Sequence, residues 1–343
     1  MNFDHSILLL LLLPALTGGL TIPFVHSDLL SKDQIVSESK FPLEHPILDN
    51  SKLSSTSESE LESTIFSTNN VTEMNEINAM AITSVPDWLQ KVTGLRNWPD
   101  VNPPYIPLDF IDFNKIPNIP IRQQGTCPDN RIQCSFDCFK CVSHDDVYTC
   151  PRLSQSFDDG PSKFTRNLLK HLKSRATFFT LGLNVVKYPQ IYKEIQQGGH
   201  LLGSHTWSHK FLPSLTNEEI IAQFEWSIWA MNATGHHLPK WYRPPYGGID
   251  DRVRSIARMF GMQAVVWDHD TFDWQMEVKP PQRNKKQILN DVHRWKEQGR
   301  GMILEHDVYK STTDLAIEIN KIIGPNQMTV AQCVDGINYV KEF

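Results

Sequence analysis

No stretch of the chain is rich in lysine and arginine, and its formal net charge over 343 residues is −6. That absence argues against nucleic acid or an anionic membrane as the main partner. Beyond the first twenty residues no segment is apolar over enough length to cross a bilayer, so no transmembrane segment is expected. Residues 21–84 lack apolar periodicity. Their run SKLSSTSESELESTIFSTNN, rich in Ser, Thr and Glu, has too little to bury and predicts a disordered or O-glycosylated spacer.

The N-terminus lacks the usual basic residue, with Asp4 and His5 in its place, yet the rest of a secretory signal is there. Residues 7–13 are unbroken aliphatics, and Ala15, Thr17, Gly18 and Gly19 supply a small-residue cleavage region, so residues 1–19 read as a signal peptide. An exported chain with six cysteines predicts disulfides. Cys127, Cys134, Cys138, Cys141 and Cys150 crowd together, and Cys333 stands alone. Asn70 (NVT) and Asn232 (NAT) are glycosylation acceptors in such a chain. The chain divides into the signal, a spacer with a Pro- and Trp-dotted segment (20–110), a cysteine-rich leader (111–150), a regular domain (151–335) and a short tail (336–343).

In the regular domain, apolar runs at 152–157, 177–181, 200–204, 241–243, 263–267 and 302–304 predict strands. They alternate with helical patterns at 164–173, 189–197, 217–232, 250–260, 285–297 and 312–323. Continuous rather than alternating apolar strands fit a parallel sheet covered by helices, hence an α/β fold, doubly wound or barrel. In a barrel the chemistry gathers at the C-terminal ends of the strands. There the sequence puts SFDDGPS with Asp158 and Asp159, and then SHTWSH with His205 and His209, spaced as on one face of a helical turn. A DDG is by itself a solvated turn, and two histidines four apart are commonly surface groups. At successive strand ends, however, two imidazoles and one carboxylate make a three-ligand metal set with a position left open. WYRPPYGG follows. Its prolines and glycines suit a rigid turn that aims the Tyr246 N–H at a developing oxyanion, with Arg243 beside the acidic pair. WDHDTFDW brings Asp268, Asp270, Asp273 and Trp274, and LEHD brings Leu304, His306 and Asp307. A strand-end histidine beside a carboxylate suits a general acid.

These five motifs, in this order over roughly residues 150–333, resemble the polysaccharide deacetylases of the NodB type, carbohydrate esterase family four. The resemblance implies a distorted (β/α) barrel that hydrolyses the N-acetyl groups of N-acetylglucosamine polymers. It implies Asp158 as general base, Asp159, His205 and His209 as ligands of a divalent metal (Zn2+, with Co2+ as second choice), and His306 as general acid. It further implies Tyr246 as oxyanion donor, Arg243 orienting Asp158, Leu304 in the acetyl-methyl pocket and Trp274 along the sugar groove. Asp270 is preferred over Asp273 as the acid behind His306. Glu305 departs from the family pattern, which is usually apolar there. The leader CSFDCFKC…DDVYTC is similar to that of yeast enzymes acting on chitin of the cell and spore wall. A secreted monomer acting on chitin or its oligomers is therefore expected, xylan or peptidoglycan being the alternative substrates and a silent glycan-binding wall protein the alternative class. In a closed barrel the first and last strands are neighbours, so Cys150 is expected to pair with Cys333. Cys127, Cys134, Cys138 and Cys141 then pair among themselves in one of three ways.

Overall fold

The computed structural model describes residues 84–129 and 133–343. The signal, the spacer and Asn70 lie outside the described residues. Among the described residues, two short α-helices precede the barrel: α1 (Asp87–Thr93) and α2 (Phe136–Phe139). The barrel then runs β1 (Ser154–Asp158), α3 (Thr165–His171), β2 (Thr177–Thr180), α4 (Gly182–Lys187), α5 (Pro189–Gln197) and β3 (Leu201–Ser204). It continues through α6 (Asn217–Gly235), β4 (His237–Pro239), β5 (Trp241–Tyr242), α7 (Asp251–Met259), β6 (Gln263–Ala264) and β7 (His269–Asp270). It closes with α8 (Lys285–Gln298), β8 (Met302–His306), α9 (Lys310–Ile323), α10 (Val330–Cys333) and β9 (Tyr339–Glu342).

Seven strands form one curled parallel sheet in the order β6-β5-β3-β2-β1-β8-β7. β1 pairs with β8 in register from Ser154 opposite Met302 to Asp158 opposite His306. The first and last predicted strands are thus neighbours, but β7 lies beyond β8, and the sheet stays open between β6 and β7. The segment before β1 lies along that gap. Val147 exchanges backbone hydrogen bonds with Ala264 and Val266 beside β6, and the Cys150 carbonyl accepts from the Gly301 N–H before β8.

Strand alternation decides which residues face the barrel axis. Phe179, Leu201, Trp241 and Met302 form an inner cluster, while Phe157, Phe178 and Leu202 pack outward against α4, α5 and α6. Gly203 is required on the inner side, because a Cβ there would lie 2.7 Å from the Phe179 ring. Helix α6 opens with a capping box, Thr216 with Glu219, and is buried on nearly every side. The reason is that the segment before the barrel covers its outer face. The Trp226 Nε1–H donates to the Pro104 carbonyl (2.7 Å), and the Ile106 N–H donates to Glu225 (2.9 Å).

Several local readings are corrected here. The expected strand at 263–267 stops at Ala264, and the next residue, Val265, makes only an isolated bridge to Val147. The expected strand at 302–304 extends to His306, carried by its pairing with the whole of β1. The residues read as a tail contain β9, which pairs antiparallel with β4. The helix expected at 217–232 runs on to Gly235, so Asn232 sits half-buried in its last turn. Helix α4 and strand β7, each only a few residues long, had no readable pattern.

Three disulfides join Cys127 to Cys138, Cys134 to Cys141 and Cys150 to Cys333, so one of the three leader connectivities is selected. The third bridges residues 183 apart in sequence, with Cα atoms 4.9 Å apart. In the chain-entropy model a closure of that length stabilises by about 5 kcal/mol.

Glu305, the departure from the family pattern, points outward from β8 and is completely buried. Its Oε1 accepts from Gln155 Nε2 (2.9 Å), and Gln155 Oε1 accepts from Asn320 and Gln327. Burial pushes the Glu305 carboxyl well above its ordinary value of 4.5, although Gln155 opposes this. The charged form is therefore disfavoured in the fold relative to the unfolded chain. Its linkage is absent below about pH 4.5 and destabilises increasingly as pH rises above it. Glu305→Gln is expected to be more stable than the parent at pH 7, with the gain vanishing near pH 4. Chemical denaturation at the two pH values checks this; an equal effect at both would mean that Glu305 is ionised in the fold.

Candidate active site

The predicted residues converge at the C-terminal ends of the strands. Asp158 ends β1, buried, and Asp159 follows with φ 75°, a left-handed turn that reverses its side chain relative to the strand. Two contacts hold that turn: Asn184 Nδ2 donates to the Asp159 carbonyl (2.7 Å), and the Leu181 N–H donates to Gly160 (3.0 Å). Gly160 cannot carry a side chain, since a Cβ would lie 2.3 Å from Asp307 Oδ1.

His205 and His209 do not lie on a helical turn, which corrects the reading of their spacing. Thr206 and His209 have φ of 69° and 60°, and this irregular turn brings both rings to Asp159. Asp159 Oδ1 is 3.3 Å from His205 Nε2 and 3.2 Å from His209 Nε2. The candidate ligand atoms of the three residues all lie within 4.8 Å of one another. His205 Nδ1 lies 2.8 Å from the Arg243 carbonyl, which can only accept. The ring proton is therefore on Nδ1, and Nε2 presents its lone pair to the cluster. Asp159 Oδ1 is buried and has no hydrogen-bond partner. A buried carboxylate oxygen facing the His205 lone pair without a proton between them, with His209 Nε2 3.2 Å away, is what a bound cation would resolve, so the donor set fits a divalent metal.

Arg243 continues beyond β5, fully buried, and its Nη1 donates to Asp158 Oδ1 (2.9 Å). The guanidinium lies 4.3 Å over the Phe179 ring, and its Nη2 lies 3.3 Å from Met302 Sδ. With Oδ1 so engaged, Asp158 Oδ2 is left 3.7 Å from His205 Nε2. Tyr246 sits in a short 3-10 turn (Pro245–Gly247) with φ 61°, and its ring lies 4.5 Å from that of His209. Phe136 of α2 backs this turn: a Cβ on Gly247 would lie 3.0 Å from its ring.

Opposite Asp158 in the β1–β8 pairing is His306. Its Nδ1 lies 2.6 Å from Asp273 Oδ1, and its backbone N–H donates to Asp273 Oδ2 (2.9 Å). The acid behind His306 is therefore Asp273, where Asp270 had been preferred. Asp270 accepts instead from the Trp267 indole and the Phe272 N–H. The choice turns on Phe272, whose φ of 49° swings the chain back so that Asp273 meets the end of β8. Burial would lower the His306 pKa. The charge and hydrogen bond of Asp273, with Asp159 and Asp158 behind it, overcome this and push it up to about 10. Leu304, on the same side of β8 as His306, is nearly buried, and Trp274 is half-buried in the 3-10 turn that starts at Asp273.

Sequence reasoning gave Asp307 no role. It lies beneath the Asp-Asp turn, accepting from Thr165 Oγ1 (2.5 Å) and, through its carbonyl, from Ser162 Oγ (2.6 Å). Burial pushes its carboxyl up to about 7, against the Thr165 bond. Its place next to His306 and the Ser in DDGPS were the available signals.

Residues 146–265 match the family model described as polysaccharide deacetylase. Over 262 residues the chain is 59% identical to chitin deacetylase 2 of Saccharomyces cerevisiae, covering 76% of this chain and 84% of that protein. Chitin deacetylase 1 of the same yeast is 52% identical, with 76% and 87% covered. Among solved structures, the chitin deacetylase from Colletotrichum lindemuthianum superposes with TM-score 0.50 at 25% identity, covering 57% of this chain and 95% of that one.

Proposed function

The chain belongs to the polysaccharide deacetylase family, and from that premise we propose that it hydrolyses the N-acetyl groups of chitin, leaving glucosamine in the polymer and free acetate. The observation that carries this is the flanking of one candidate metal cluster by two differently prepared groups: Asp158, oriented by Arg243, and His306, backed by Asp273.

Asp159, His205 and His209 would hold the ion, and two imidazoles with one carboxylate suit Zn2+, with Co2+ as second choice. When bound, the ion supplies Lewis-acid polarisation and makes a water acidic enough to lose a proton near neutral pH. Asp158 would take a proton from the attacking water through Oδ2, since Arg243 occupies Oδ1. The Tyr246 N–H stabilises negative charge on the amide oxygen as water adds. His306, protonated, gives its Nε2 proton to the departing amine, and Asp273 on Nδ1 holds the ring in that orientation. Leu304 borders the acetyl methyl, and Trp274 lines the sugar groove.

Three disulfides, and no helix among the described residues long and apolar enough to cross a membrane, fit a secreted protein. We place its work, as a monomer, in the cell or spore wall. Acetate release should be measured on chitin oligomers, acetylxylan and peptidoglycan, with and without chelator. The expected result is release from chitin oligomers that chelation abolishes. Release from acetylxylan or peptidoglycan alone would overturn the substrate, and release from none would favour a silent binding protein.

A further inference from the structure

The turn that carries His205 and His209 contains two left-handed non-glycine residues, a conformation that persists only where the surroundings over-determine it. Three supports surround it. From α4, the N–H groups of Gly182 and Leu183 donate to the carbonyls of Thr206 and Trp207. From α6, Gln223 Oε1 accepts from the Ser208 N–H (3.0 Å). The third comes from residues 98–101, ahead of the barrel, and it takes hold of the two residues midway between the histidines. Trp207 is fully buried, its Nε1–H donates to the Asp100 carbonyl (2.8 Å), and its indole stacks on Trp98 with centroids 6.0 Å apart. Ser208 Oγ donates to the Val101 carbonyl (2.6 Å). Trp98 is itself seated edge-on against Trp226 of α6, with centroids 6.1 Å apart.

We propose that residues 98–101 brace the candidate metal-binding turn and so set its affinity for the ion, with Trp98 as a positioning residue. This rests on the reading that Asp159, His205 and His209 hold the metal. Without the brace the turn would relax toward an unstrained backbone. The ligands would then have to be ordered when the ion binds, and that cost appears as lost affinity.

The experiment is a Zn2+ titration by chelator competition on the parent, Trp98→Ala, Trp98→Phe and Ser208→Ala, alongside the far-ultraviolet circular dichroism and melting of each metal-free protein. Trp98→Ala and Ser208→Ala are expected to bind Zn2+ about 10- to 100-fold more weakly while keeping the parent's spectrum. Trp98→Phe is expected to recover most of the affinity. It keeps a ring on Trp207, and Trp98 Nε1, buried without an acceptor, has no hydrogen bond to lose. Folded Trp98→Ala and Ser208→Ala with affinities within about twofold of the parent would overturn the brace. Ser208 Oγ also accepts from Gln223 Nε2 of α6 (2.9 Å). Should Trp98→Ala not fold, Trp98→Leu, which keeps apolar volume without the ring stack on Trp207, therefore decides in the same way. A parent that takes up no Zn2+ would overturn the metal reading itself, and the brace with it.

Discussion

Asp158→Asn is expected to take up its divalent ion as the parent does and to release acetate about 10²–10⁴ times more slowly. The two adjacent aspartates have different surroundings despite their adjacency. Asp158 is bonded to a buried guanidinium and keeps only one oxygen toward the cluster; Asp159 turns through a left-handed backbone to face both imidazoles. An amide at position 158 keeps a hydrogen-bond acceptor for Arg243 but cannot take a proton from water. Asp159→Asn removes a charged ligand, so metal and activity should fall together. Elemental analysis of each purified variant, beside its rate, separates the two roles. Equal metal loss in both variants would mean that the aspartates share the ion and that the base lies elsewhere.

His306→Ala should slow the reaction by a comparable factor and remove the basic limb of the pH–rate profile. Asp273→Asn should keep the limb and move it. The sign follows from which form works: the acid must be protonated, so the rate falls as pH rises through the His306 pKa. That pKa is pushed up to about 10 by Asp273 and the two aspartates across the site, against burial, which lowers it. An ion on Asp159 would cancel that carboxylate's share, so the limb in the loaded enzyme is expected below that value. Replacing Asp273 removes the largest upward influence and leaves burial in place. The limb should then shift to lower pH, and the rate at pH 8 should drop more than the rate at pH 6. The profile measured on chitin oligomers tests this. A basic limb that stays put in both variants would assign it to another group.

Five motifs in one order carried the family and the chemistry of the site, because proton transfer and metal binding restrict which residue types can serve. Continuous apolar runs carried the parallel sheet, since strands covered on both faces have no polar side to show. Glycine at 160 and 203 was readable as a residue but not as a need; the needs came from Asp307 and the Phe179 ring, both distant in sequence. The convergence of His205 and His209 was expected from a helical period and is achieved by left-handed residues instead. Nothing in the letters SHTWSH announces that turn. Backbone strain is imposed by what packs around it, here residues 98–101, α4 and α6. The choice of Asp273 over Asp270 was open for a similar reason. Three acids within six residues differ little in propensity, and only the reversal at Phe272 determines which one reaches the end of β8. The pairing of Cys150 with Cys333 followed from the adjacency of the first and last strands, a property of topology. The two leader pairings did not, because sequence spacing leaves close cysteines equivalent until the chain between them is folded.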